Sequence, residues 1–171
     1  MFKSVGFFGG AFSPIHCGHI RMVFTLLEGS HVARVILVPA ADAYKKSGLW
    51  PAAERLERLR SVFALVQVVE ISTIDTDKAY FPHPMETACE LVTQRLDRCR
   101  EELVWIMGGD RLDWIVRNDD LQRMVAAYRF IVFERPPFFR DQLLKHPDIR
   151  RSSDQIMFLP DPCLFLNRKI G

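Results

Sequence analysis

Two histidines three residues apart, His16 and His19, close the run Gly9-Gly10-Ala11-Phe12-Ser13-Pro14-Ile15-His16-Cys17-Gly18-His19. An imidazole, neutral or protonated, can donate a hydrogen bond to a phosphate oxygen. Where a helix begins, this spacing lets both rings point to one side. A helix opened by Gly18 and His19 adds free backbone N–H groups and the positive end of its dipole, which together favour an anion. The paired glycines let the backbone turn sharply and approach a ligand without a Cβ clash. Phosphate handling is the chemistry such a pattern supports. Two other readings stay open on the residues alone. One is a glycine turn beside two surface histidines. The other is a metal pair, which would want a third ligand and an HxxxH or HxH spacing. A Walker A loop is excluded, because no Gly-Lys-Ser/Thr follows.

Positioning such a loop requires a frame, and apolar runs alternate with helical patterns along the chain. Strand-like runs cover Val5–Phe8, Val35–Val38, Val66–Ile71, Leu103–Met107, Arg129–Phe133 and Gln155–Leu159. Between them, Gly18–Glu28 places Ile20, Val23, Phe24 and Leu27 at helical spacing. Pro51–Leu65 reads as a helix with proline in its first turn and Leu56, Leu59 and Phe63 on one face. Pro84–Arg98 carries Met85, Ala88, Leu91, Val92 and Leu96 along one side, and Phe139–Lys145 reads as a short helix. The alternation predicts an α/β fold, Rossmann-like and doubly wound, with a mainly parallel sheet of five or six strands and helices on both faces. Ligands in such sheets bind beyond the C-terminal strand ends. Gly9-Gly10, Gly108-Gly109-Asp110 and Glu134-Arg135-Pro136 all fall there. Residues 40–49, with Lys45 and Lys46, form the longest irregular stretch in the first half and read as a mobile loop beside a site.

Composition narrows the class. The 171 residues, 49% hydrophobic and 26% charged, suit one globular domain over 1–171. A net charge of +2 gives no clustered basic footprint for nucleic acid. Cys17, Cys89, Cys99 and Cys163 form no CxxC pair, so four reduced thiols are expected and a zinc site is not. The apolar run at the N-terminus is too short for a signal peptide. No segment approaches the ~20 apolar residues of a membrane span. The expected address is the cytoplasm, and a homo-oligomer is compatible with the sequence.

The eleven-residue run resembles the GGxFxPxHxGH signature of the nucleotidylyltransferase superfamily, with all seven specified positions matched. Its HxGH form is similar to that of the bacterial nicotinate mononucleotide adenylyltransferases. The resemblance continues in order through Val38-Pro39, Lys45-Lys46, Glu54-Arg55-Leu56, Gly108-Gly109-Asp110-Arg111-Leu112 and Val132-Phe133-Glu134-Arg135-Pro136. It implies adenylyl transfer from ATP to nicotinate mononucleotide by direct in-line attack, giving deamido-NAD and pyrophosphate, with Mg²⁺ accompanying ATP and no dedicated protein metal site. It implies His16 and His19 as the catalytic pair on the α- and β-phosphates. Gly9, Gly10, Ala11, Phe12, Gly18, Lys46, Gly108 and Asp110 are implied to bind ATP, with backbone N–H groups at Gly10–Phe12 on the phosphates and Asp110 on the ribose. Lys45, Thr87, Trp114 and Arg135 are implied to lie on the substrate side.

Each has a plainer role beside it. Asp110 can be a helix N-cap. Lys45 and Lys46 can be solvated loop charges. Thr87 can be structural, Arg135 can pair with a surface carboxylate, and Trp114 can be rim packing. The sequence also departs from the family pattern. Ser13 stands where the loop usually has an acidic residue. His83-Pro84-Met85-Glu86-Thr87 only faintly matches the YTxDT substrate-side motif. The ISSTxxR element is absent, its region reading Leu164-Phe165-Leu166-Asn167-Arg168-Lys169-Ile170-Gly171, a truncated or degenerate form. Two other functions therefore stand beside the first: transfer to a different phosphate acceptor, and a nucleotide-binding homologue with impaired catalysis.

Overall fold

The computed structural model describes residues 3–118 and 121–163. The altered C-terminal element at 164–171 lies outside the described residues. Strands β1 (Lys3–Gly10), β2 (Arg34–Pro39), β3 (Val69–Ile71), β4 (Glu101–Gly108), β5 (Arg129–Phe133) and β6 (Ile156–Leu159) form one sheet in the order β3-β2-β1-β4-β5-β6. The pairings β1–β2, β2–β3, β4–β5 and β5–β6 are all parallel. This is the Rossmann-like α/β fold that the strand–helix alternation predicts. The chain divides into two compact units, 1–103 and 104–171.

In the first unit, the apolar run of β2 has Val35, Ile36, Leu37 and Val38 all within 1% of full burial. Helix α1 (Cys17–Glu28) covers its core with Val23 and Leu26. Phe24, expected on that face, is 37% exposed, because the buried stripe is narrower than the periodicity suggests. Helix α2 (Ala52–Val62) buries Leu56 and Leu59, with Phe63 just beyond its end. It also buries Arg55, a charged residue on that same apolar face. Pro51 is its N-cap and not its first helical residue. Helix α3 (Pro84–Gln94) buries Thr87, Ala88 and Leu91 and ends four residues before the expected Arg98. The third strand is three residues long, because the expected run from Val66 begins as a turn in which the Val69 amide donates to the Val66 carbonyl at 2.9 Å.

At the starting ends of these strands, Arg34 gathers several partners. Its Nη1 lies 3.2 Å from Glu70 of β3, and its Nε and Nη2 each reach Glu101 at 3.1 Å. Its Nη2 also donates to the Arg95 carbonyl at 2.9 Å. This planar, bidentate grip is the geometry guanidinium suits. The hydrogen bond from Arg34 holds the Glu101 carboxyl below the usual glutamate range.

In the second unit, β5 is buried from Phe130 to Phe133. Helix α4 (Gly109–Arg117) follows β4 and buries Leu112, Ile115 and Val116. Short helices α5 (Leu121–Val125), α6 (Arg140–Leu143) and α7 (Pro147–Arg151) complete it. Helix α7 has proline in its first turn and a His146 N-cap whose side chain accepts from the Asp148 amide. No helix among the described residues is long and apolar enough to cross a membrane.

Candidate active site

The glycine-rich run begins as strand. Gly9 and Gly10 are the last residues of β1 and pair with Val38 and Pro39 of β2. The turn itself is made at Phe12, with φ at 45°. This corrects the expectation that the glycines do the turning. A left-handed conformation costs a non-glycine residue roughly 1–2 kcal/mol, and here it is offset by burial of the Phe12 ring to 2% exposure. That ring folds back so far that a Cβ on Gly10 would come within 3.1 Å of it. Glycine is favoured there by close approach and not by its backbone freedom.

The same ring orients a histidine. Phe12 stands edge-on to Phe8 at 5.4 Å and to His19 at 5.0 Å between centroids. Helix α1 starts at Cys17, one residue before the expected Gly18, with His16 as N-cap. The His16 amide donates to His19 Nδ1 at 3.4 Å. In neutral His19 that leaves the proton on Nε2, as a donor. The two imidazoles stack with centroids 3.8 Å apart and planes 24° off parallel. His16 is exposed and His19 half-buried, and the first turn of α1 carries no acidic residue to offset its positive end. A stacked imidazole pair and a helix start thus lie together, an arrangement that suits an anion.

Beside the elbow, Lys45 and Lys46 are exposed and line an open depression of about 620 Å³ together with Asp42, Tyr44 and Trp50. The loop that carries them is tied back to the elbow. Ser13 Oγ accepts from the Trp50 amide at 2.8 Å and donates to the Gly48 carbonyl at 3.3 Å. Arg55, wholly buried, donates to the Trp50 carbonyl at 2.7 Å, the Ala11 carbonyl at 3.2 Å and Asp42 at 2.7 Å. Sequence reasoning overlooked Arg55 as a site residue. The available signal was a charge inside the apolar stripe of α2, next to Leu56.

Thr87 is 1% exposed, and its hydroxyl donates to Asp75 at 2.7 Å. Its side chain is spent on the interior of this unit, so the substrate-side role expected of it is not one its hydroxyl is free to fill. Burial pushes the Asp75 carboxyl above the usual aspartate range, against the hydrogen bond from Thr87.

In the second unit, Gly108 ends β4 and is itself the N-cap of α4. Asp110 lies in the first helical turn, which corrects its reading as a cap. Its carboxylate meets Arg135 Nη2 at 2.7 Å, with side chains 38% and 55% exposed. Gly109 is buried where the 135–138 turn crosses, and a Cβ there would stand 2.6 Å from the Phe138 carbonyl oxygen. Trp114, 46% exposed, has the Arg111 guanidinium 4.1 Å over its ring. Structure therefore joins His16 to His19, Thr87 to Asp75, and Asp110 to Arg135. Among the described residues no group of three or more His, Cys, Asp or Glu is arranged to hold a metal ion.

Comparison with known proteins adds a family. Residues 7–161 match the cytidylyltransferase-like family. A probable nicotinate-nucleotide adenylyltransferase of Opitutus terrae is 32% identical over 136 residues, covering 78% of this chain and 68% of the relative. One of Methylacidiphilum infernorum is 27% identical over 148 residues, covering 84% and 72%. Among solved structures, the nicotinic acid mononucleotide adenylyltransferase of Plasmodium falciparum complexed with NaAD aligns with a TM-score of 0.74 at 14% identity. That alignment covers 92% of this chain and 75% of the other, a likeness of fold.

Proposed function

The chain belongs to the cytidylyltransferase-like family, and from that premise we propose that it transfers the adenylyl group of ATP to nicotinate mononucleotide. The products are deamido-NAD and pyrophosphate. The names of its sequence relatives support this acceptor. The observation that carries the chemistry is the stacked His16–His19 pair at the start of α1.

A 5′-phosphate oxygen of the mononucleotide attacks the α-phosphorus of ATP in line. The bond from that phosphorus to the bridging oxygen breaks, and pyrophosphate leaves with the electron pair. No covalent enzyme intermediate is needed, so positioning and charge stabilisation are the protein's share. Ring N–H donors of His16 and His19 meet the α- and β-phosphate oxygens, where negative charge grows. Backbone N–H groups from Gly10 to Phe12 cradle the phosphates, and the N-terminus of α1 at Gly18 adds its dipole. Lys45 and Lys46 supply cationic charge for the pyrophosphate. In the second unit, Asp110 accepts from ribose hydroxyls, and Arg135 meets a carboxylate or phosphate of the acceptor. The charge neutralisation that Mg²⁺ supplies comes with ATP as substrate. The four cysteines stand as thiols, which suits a cytoplasmic setting.

The test is pyrophosphate release from ATP with a panel of acceptors. Turnover with nicotinate mononucleotide is expected. Turnover only with another acceptor overturns the substrate assignment. Calorimetric ATP binding without turnover on any acceptor overturns the enzyme reading in favour of a nucleotide-binding homologue.

A further inference from the structure

Arg55 is the largest wholly buried side chain among the described residues, and its contacts point at the phosphate loop. A buried guanidinium is costly unless each donor finds a partner. Here one planar fork takes three acceptors from three places: Ala11 in the elbow, Trp50 at the foot of the lysine loop, and Asp42 at its head. Asp42 is itself 60% exposed on its side chain, so the ion pair joins the interior to the loop surface. Among the described residues no buried side-chain nitrogen or oxygen lacks a partner. Ser13 makes a second bridge between the same two segments, with its hydroxyl both accepting from Trp50 and donating to Gly48. The stretch between the anchors, with Lys45 and Lys46, is exposed, and its backbone bonds there are short-range turns such as Lys46 to Tyr44 and Leu49 to Lys46. Two polar bridges thus span the gap between an exposed lysine loop and the elbow that precedes the stacked histidines.

We propose that Arg55 and Ser13 form a clasp that fixes the 42–50 loop against the Ala11–Ser13 segment, and so act as positioning residues for Lys45 and Lys46. Neither touches the reacting atoms. The fork could not be replaced by lysine, whose point charge on a flexible stem cannot address three fixed acceptors at once. The catalytic consequence rests on the adenylyl-transfer reading, whereas the mechanical one does not.

The test separates the two. Trypsin cleaves after Lys45 and Lys46 only when the loop opens, and under native conditions its rate follows the open population. Loss of one or two hydrogen bonds raises that population about five- to thirty-fold. Ser13→Ala and Asp42→Ala are therefore expected to release the fragments ending at Lys45 or Lys46 that much faster, with only a small fall in melting temperature. Arg55→Lys should speed cleavage as well but also lower the melting temperature, because it leaves buried acceptors unpaired, so the two milder variants decide the matter. Cleavage at the wild-type rate in both overturns the clasp. So does faster cleavage that a lowered melting temperature fully accounts for. In the pyrophosphate-release assay, the same variants should raise KM for the nucleotides several-fold with a smaller change in kcat. Unaltered KM in variants that open faster removes the positioning role. A wild-type chain without turnover on any acceptor sinks the adenylyl-transfer reading, while the proteolysis still judges the clasp.

Discussion

At the scale of single residues, His19 carries the sharpest expectation. Its ring is held by packing against Phe12 and by the His16 amide, so its orientation is set within the fold. A donor that strengthens toward the transition state contributes to kcat more than to affinity. His19→Ala is expected to lower kcat by roughly 10²–10³-fold while KM changes little. Steady-state pyrophosphate release measures both, and an intact kcat would remove His19 from the mechanism. The histidine pair was readable because its information is local, seven positions within eleven residues. Phe12 and Arg55 were not readable in the same way. Nothing in a phenylalanine announces a left-handed backbone, and here it accompanies packing of the ring against Phe8 and His19. Arg55 looks like one more charge on a helix until the carbonyls of Ala11 and Trp50 are brought to it.

Secondary elements explain the remaining agreements and misses. Strand positions were legible because runs such as Val35–Val38 are apolar throughout, as a strand covered on both faces must be. Helix ends were less so, since a cap depends on geometry: Asp110 is a good capping residue by type, yet Gly108 holds that place. Helix α3 shows what burial does to a polar pair. The Asp75 carboxyl accepts from Thr87 in the interior, and desolvation raises its proton affinity above that of an unfolded aspartate. Stability contributed by this group is greatest below the ordinary aspartate range. It is lost as pH rises through the raised value, since the folded state then gives up a proton it held more tightly than the unfolded chain. Asp75→Asn keeps an acceptor for Thr87 without a titrating proton. Its melting temperature relative to the wild type is expected to climb from acid to neutral pH. Thermal denaturation across that range measures it, and parallel curves would refute the burial argument.

For the molecule as a whole, the α/β class followed from alternation alone, and the match over residues 7–161 places the chain in its family. Within the first unit the strands have a polarity. Their C-terminal ends lead into the elbow and the lysine loop, while Arg34, Glu70 and Glu101 meet near their starts. Arg34→Ala removes hydrogen bonds to two partly buried carboxylates. The expected loss is about 2 kcal/mol, or about 4–8 °C in melting temperature for a chain of this size. Glu101 titrates below an unfolded glutamate, so its share of that stability is present above the ordinary glutamate range and vanishes as pH falls through the lowered value. The deficit of the variant should therefore shrink in acid. Differential scanning calorimetry over pH checks this, and a melting temperature equal to the wild type at neutral pH would contradict it.

That polarity has a consequence for how such a chain can vary. Substitutions near Arg34 alter how firmly the scaffold is fastened without reaching the imidazoles at the opposite rim. A lineage moving to a hotter or more acidic habitat can thus rework the foot of its sheet while the chemistry at the top stands still.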